Sequence, residues 1–324
     1  MMRKINKILK SSKIMLFFLI IVNLIGCSRI DDNKNQKMME SAKITIEENN
    51  KYESETDNKQ SVESNQEDES NVSETDTGGQ EALENLKSEL EEMISSYDGE
   101  WAVYVYDLDT NEFLNINSHA MKSASTIKLF IMATVYDKVA SGELELTENI
   151  NSLMKQMITI SHNESSNELV RLLSPTGDNH EEGMKVVNQY TSMHGYADTN
   201  QGRDMLDYRE IPAKGENYTS VRDTAFLLRE IYRGTCVNEE FSQRMMDLLK
   251  DQERTWKIPA GLPQGIESAN KTGELSDVEN DSAIIFGEKT DYILSIMSEN
   301  LTDTVSAQKN IQEISSIVYQ YFNN

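Results

Sequence analysis

Cysteine is nearly absent: two in 324 residues, Cys27 and Cys236, which rules out a disulfide framework. Histidine is scarce too. His119, His162, His180 and His194 show no metal-ligand spacing, and none has an acidic partner evident from its place in the chain. No metal or cofactor is expected, and a Ser–His–Asp triad stays open but is not needed. Basic residues are a minority, 31 against 55 acidic, for a net charge of −24. There is no basic patch and no Lys/Arg run interleaved with aromatics, which argues against a nucleic-acid partner. Long apolar runs are missing as well. The longest, Ile14 to Ile25, is about a dozen residues, short of the roughly 20 that a spanning helix needs.

That run has basic residues before it (Arg3, Lys4, Lys7, Lys10, Lys13) and Leu24, Ile25, Gly26 and Cys27 at its end. The arrangement resembles the lipobox of bacterial lipoproteins. The resemblance implies that residues 1–27 are a signal segment, that Cys27 carries lipid, and that the protein sits on the outer face of the cell membrane. A secretory signal or a short unlipidated anchor is the alternative. Residues 28–80 are rich in Ser, Asn, Glu, Asp and Gln, with 14 acidic against 5 basic residues from Asp31 to Gln80. Such a segment buries too little apolar surface to offset its ordering entropy and extends by self-repulsion. It is expected to tether a domain to the membrane; a binding tail has no support in the sequence.

The rest, 81–324, reads as one folded domain. Leu83, Leu86, Leu90, Met93 and Ile94 form a helical stripe. The alternating Trp101 to Asp107 and then Phe113 to Ile116 read as a hairpin of two strands. Helices are expected over Thr126–Ala140, with Ile127, Phe130, Ile131, Thr134 and Val135 on one face, and then over 149–160, 163–173, 181–194, 220–232 and 240–252. Strands return at 266–272, 281–286 and 291–298, and a helix closes the chain over about 305–321. Two early and three late strands are best satisfied by one five-stranded, mostly antiparallel sheet. This gives an α+β fold with the terminal helices packed on the sheet. The sheet lobe comprises 81–118 and 262–324, and an all-helical lobe, 119–261, is inserted between them. Ligand sites favour such junctions.

Three short stretches carry the chemistry. Ser125 stands at the start of the apolar helix, where unpaired N–H groups and the dipole favour a developing anion. Lys128 follows one turn later on the same face. A serine hydroxyl becomes a useful nucleophile when a base takes its proton, and a neutral lysine can do that. The bare Ser-x-x-Lys spacing is weak, since Ser152, Ser268 and Ser306 share it. Ser161, His162 and Asn163 precede another apolar helix, where Ser-x-Asn alone would read as an ordinary N-cap. Lys271, Thr272 and Gly273 end a strand, where a surface strand end with a turn glycine would serve equally well. Their order and placement together are far more specific.

With these motifs the domain resembles the class A β-lactamases and, more broadly, the penicillin-recognising serine transferases that include DD-peptidases. The likeness runs from about 83 to 322. It includes Val105, Tyr106, Asp107, Leu108, Asp109 and Thr110, the run Ser123 to Lys128, Ile258 to Pro263, Lys271 to Gly273, and Asn280 to Ile285. It implies that Ser125 is acylated, that Lys128 is its base, and that Ser161 passes a proton to the departing nitrogen. It also implies that Asn163 holds a substrate amide and that Lys271 and Thr272 meet a substrate carboxylate. The backbone N–H groups of Ser125 and Glu274, just after Gly273, would form the oxyanion hole. Lys128 works only when neutral; burial and the nearby Lys271 would push its pKa down.

Two departures matter. His162 stands where the family usually has aspartate. The Glu-x-x-Leu-Asn loop, whose glutamate activates the deacylating water, is missing; the corresponding stretch runs from Gly202 to Ser220. Asp204, Asp207 or Glu210 could substitute, or could simply pair with Arg203 or Arg209. No arginine is evident near Asn280 or at the end of the 291–298 strand. Three functions remain. One is a class A-type hydrolase opening β-lactam-like cyclic amides. Another is a DD-peptidase-like or other amide or ester hydrolase acting on peptidoglycan-derived substrates, with slow β-lactam turnover. The last is a non-catalytic surface binding or sensing module. The expected state is a monomer.

Overall fold

The computed structural model describes residues 77–206 and 215–324. The signal segment, Cys27, most of the acidic tether, Asp207, Arg209 and Glu210 lie outside the described residues. The elements in chain order are α1 (Thr77–Ser95), β1 (Glu100–Asp107), β2 (Phe113–Ile116), β3 (Met121–Lys122), α2 (Ile127–Ala140), α3 (Glu148–Thr159), α4 (Asn163–Leu172) and α5 (His180–Met193). They continue as β4 (Tyr218–Thr219), α6 (Val221–Tyr232), α7 (Glu239–Lys250), β5 (Glu267–Leu275), β6 (Val278–Phe286), β7 (Tyr292–Glu299) and α8 (Thr304–Asn323).

The five long strands form one antiparallel sheet in the order β2-β1-β7-β6-β5, so β5 is an edge. Along β1 the side chains alternate between two cores, as the two-residue period of a strand requires. Trp101, Val103 and Val105 pack with Leu86, Leu90, Ile311, Ile314 and Val318 of the terminal helices. Ala102, Tyr104 and Tyr106 face the second core, which they share with α2 and α6. Because both faces are covered, β6 and β7 are buried almost end to end. The second half of β6 and most of β7 are correspondingly apolar, while Glu279, Asn280, Asp281 and Ser282 of β6 are buried polar residues.

Helix α2 departs from the expected amphipathic pattern. Every residue from Ile127 to Tyr136 is buried, with no single inward face. The helix is packed by α3, α4, α5, α6 and α7 and is the axis of the helical lobe. A helix surrounded by others has no solvent side to mark with polar residues. The small β3–β4 pair was also unanticipated. It registers Met121 with Thr219 and Lys122 with Tyr218, joining the approach to Ser125 to the end of the 195–220 loop.

Helix starts follow local chemistry. Thr147, Asn179, Ser220, Asn238 and Asp303 each cap a helix by accepting a backbone N–H two or three residues on. At α4 the cap is His162, whose ring nitrogen accepts from the N–H of Ser165, rather than Ser161. That leaves the Ser161 hydroxyl available for other work.

Candidate active site

Ser125 lies in a single 3-10 turn, Ala124–Thr126, that runs directly into α2. The turn is held from two sides. The N–H of Ser123 donates to the carbonyl of Asn217 at 2.8 Å, and the Asn280 side chain donates to the Ser123 carbonyl at 3.2 Å. Ala124 has a φ of +48°, a conformation that non-glycine residues adopt only when their surroundings impose it. Strand β5 presses against this turn. A β-carbon on Gly273 would lie 2.7 Å from the Ser123 carbonyl oxygen and 3.1 Å from the Ser125 nitrogen, so only glycine permits the approach. Ser125 is half-buried, and its hydroxyl makes no hydrogen bond among the described residues.

The three separated motifs meet at Ser161. Lys128 is fully buried and donates to the Ser161 carbonyl at 2.8 Å and to Asn163 Oδ1 at 2.7 Å. It also lies 3.2 Å from Ser161 Oγ. From β5, the buried Lys271 reaches the same hydroxyl at 3.0 Å and donates to the Thr272 carbonyl at 2.8 Å. Ser161 holds its place between the two amines with a φ of +60°. Thr272 is buried beside them.

This crowding sets the proton chemistry. Burial, reinforced by the Arg254 guanidinium and opposed by Glu164, pulls the Lys128 pKa down to about 7. Burial and then the neighbouring Lys128 hold Lys271 well below the usual lysine range. Two ammonium groups on one hydroxyl repel each other, so a neutral amine is accessible near physiological pH. A neutral Lys128 has two N–H groups, which the Ser161 carbonyl and Asn163 Oδ1 accept. Its lone pair is then free to take a proton from a hydroxyl.

The loop after α5 is fixed at its neck. Arg203 and Glu216, 3% and 8% exposed, form an ion pair at 2.7 Å. Asn217 Oδ1 accepts from the N–H groups of Gly202 and Arg203, and its carbonyl holds Ser123. The loop base and the turn that bears Ser125 are thus one hydrogen-bonded unit. Removing one partner of a buried ion pair typically costs about 3–5 kcal/mol. Glu216→Ala is therefore expected to lose stability of that order in urea unfolding; a loss under about 1 kcal/mol would show that the pair is dispensable.

Beyond Arg203, Asn167 clamps the backbone of Met205, accepting its N–H at 2.8 Å and donating to its carbonyl at 3.0 Å. Asn167 stands one helical turn after Asn163 on α4, so the clamp brings Met205 beside the site. The residue in that place is an apolar, buried methionine. Asp204, a candidate water-activating carboxylate, is instead paired with His180 at 3.0 Å. The expectation that histidines lack acidic partners fails elsewhere as well: His162 lies 3.1 Å from Glu164.

One basic group near the site carries no sequence signal. Arg254, from the segment after α7, pairs with Glu274 at 3.0 Å and contributes to the field at both lysines. Nothing local in the sequence announces it, because its partner is 20 residues away on β5. Asn167 was in principle findable: four residues after Asn163, it shares that residue's helix face.

A profile of the Beta-lactamase enzyme family matches residues 85–152 and 149–322. Among solved structures, PBP-A is similar, with a TM-score of 0.66 and 24% identity over 74% of this chain and 96% of that one. A variant of PBP-A has been solved as an acyl-enzyme complex with penicillin G. The β-lactamase of Sphaerobacter thermophilus DSM 20745 is similar at a TM-score of 0.63 and 23% identity, over 74% of this chain and 96% of that one. An ancestral class A β-lactamase aligns at 0.65 and 20%, over 73% of this chain and all of that one. No curated protein matches.

Proposed function

Because the chain belongs to the Beta-lactamase enzyme family, we propose that it is a serine acyl-transfer enzyme that opens β-lactam-like cyclic amides on Ser125 and releases the product slowly. The observation that carries this reading is the Ser161 hydroxyl held 3.2 and 3.0 Å from the amines of Lys128 and Lys271, beside the turn that bears Ser125.

Neutral Lys128 takes the Ser125 hydroxyl proton as the oxygen attacks the amide carbonyl carbon. The resulting oxyanion is received by the N–H groups of Ser125 and Glu274, which Gly273 allows to lie close together. Collapse of the intermediate breaks the C–N bond. Ser161 donates its proton to the departing nitrogen and recovers one from the adjacent ammonium of Lys128. Lys271 and Thr272 meet the substrate's carboxylate, and Asn163 meets its side-chain amide. The product is an ester on Ser125.

Hydrolysis of that ester requires a base to activate water, which typically contributes 10²–10⁴-fold. Met205 is clamped by Asn167, one turn of α4 from Asn163, and Asp204 is engaged by His180. Slow release, as in a penicillin-binding protein, follows. A fluorescent penicillin is expected to label the protein within minutes and to stay bound for hours. Release within seconds would favour an efficient β-lactamase, and no label on the folded protein would favour a binding or sensing module.

The acylation rate is also expected to depend on pH. Lys128 acts only when deprotonated, and its pKa is pulled down to about 7. The rate should therefore rise with pH through about 7 and level off above it. A labelling rate that is flat from pH 5 to 9 would remove Lys128 from the role of base.

A further inference from the structure

Lys257 plays no part in the chemistry described so far, yet it lies directly behind the substrate-facing strand. Its side chain is fully buried. The ammonium donates to the carbonyl of Gly273 at 3.1 Å and to that of Asn280 at 3.0 Å. Two carboxylates balance it, Glu279 at 2.6 Å and Glu274 at 3.4 Å.

The Gly273 carbonyl belongs to the same peptide unit as the N–H of Glu274. In a trans peptide these two groups point in opposite directions. Gly273 and Asn280 are register partners on β5 and β6, and Lys257 touches both carbonyls, so the Gly273 carbonyl is on the β6 side. The N–H of Glu274 consequently points to the open edge of the sheet, where the Ser125 turn packs against Gly273. A cation on the carbonyl draws electron density through the amide and makes that N–H a stronger donor, since linked hydrogen bonds polarise one another. It also fixes the rotation of the peptide plane, and oxyanion stabilisation depends on donors aimed in advance.

We propose that Lys257 is a positioning residue for acyl transfer, orienting and polarising the Gly273–Glu274 peptide as the oxyanion donor. This rests on the acyl-serine reading above. Complete loss of one such donor typically lowers turnover 10²–10³-fold. Weakening it should cost about tenfold or more, and the loss should fall on the chemical step alone.

The test compares wild type with the double variant Lys257→Met/Glu279→Gln, which removes the cation without stranding Glu279 as a buried charge. Stopped-flow labelling with a fluorescent penicillin separates the dissociation constant of the non-covalent complex from the acylation rate constant. The expected result is an acylation constant at least tenfold lower, with the dissociation constant within threefold of wild type. Lys257→Arg, which keeps the charge, should recover much of the rate. The inference is overturned if acylation stays within threefold of wild type, or if binding and acylation weaken together, as a merely structural role would require. Should the double variant not fold by circular dichroism, Lys257→Gln/Glu279→Gln retains hydrogen-bonding groups and is judged by the same criteria. Absence of labelling in wild type would refute the acyl-serine reading itself; a labelled wild type with an equally fast variant would refute only the role of Lys257.

Discussion

Replacing Ser125 by alanine is expected to abolish covalent labelling by a fluorescent penicillin and to leave unfolding stability within about 1 kcal/mol of wild type. Both halves of this expectation come from one arrangement. Ser125 is half-buried, and its hydroxyl holds nothing among the described residues, so its loss breaks no internal bond. The turn that carries it is kept in place by other groups: Asn217 on the Ser123 N–H, Asn280 on the Ser123 carbonyl, and Gly273 packed alongside. Yet without that oxygen no ester can form, however well the two lysines are placed. Labelling is followed by gel fluorescence and stability by urea unfolding. Retained label would move the nucleophile elsewhere. A loss of several kcal/mol would make Ser125 a structural residue at the head of α2.

The second large effect is a gain. Met205→Glu should shorten the lifetime of the acyl-enzyme by about 10²–10⁴-fold, the usual contribution of a general base. The backbone of Met205 is gripped on both its N–H and its carbonyl by Asn167, so the substituted side chain starts from a fixed position. That position is one turn of α4 from Asn163, whose carboxamide touches Lys128. Burying a carboxylate there is opposed by desolvation, and stability should fall by about 1–3 kcal/mol. The positive field of Lys128, Lys271 and Arg254 acts in the other direction and favours the ionised form. Met205→Gln is the control, alike in shape but unable to accept a proton. Release from a labelled Met205→Glu protein that is folded yet no faster than wild type would show that the missing base is not what limits deacylation.

The parts of this molecule that were readable in the chain are those with a local signature. The run from Trp101 to Tyr106 marks β1 because a strand buried on both faces needs apolar residues on each. The segment from Ser161 to Asn163 sits at a helix start and that from Lys271 to Gly273 on a strand, and their known company pointed to one site. The structure links Asn163, Lys128, Ser161 and Lys271 in one chain of hydrogen bonds, Lys128 reaching Asn163 and Ser161, and Lys271 reaching Ser161.

What could not be read depends on pairing between distant segments. Helix α2 is buried on every side from Ile127 to Tyr136, so no one face of its sequence marks the core, and only the five helices around it explain why. The Arg254–Glu274 and His180–Asp204 pairs join residues 20 or more positions apart and leave no periodic trace. Asp204 looked like a spare carboxylate in a loop; its ion pair becomes visible only when α5 is folded beside it. Lys257 had no motif at all, and its interest arises entirely from the two carbonyls it reaches.

The most direct test of the central claim is intact-mass spectrometry of residues 81–324 mixed with benzylpenicillin, sampled from seconds to hours, followed by peptide mapping. The proposed enzyme gains one penicilloyl mass, carries it on the peptide containing Ser125, and still carries most of it after an hour. A protein that stays at its unmodified mass while the antibiotic remains intact, or an adduct on any other residue, would contradict it.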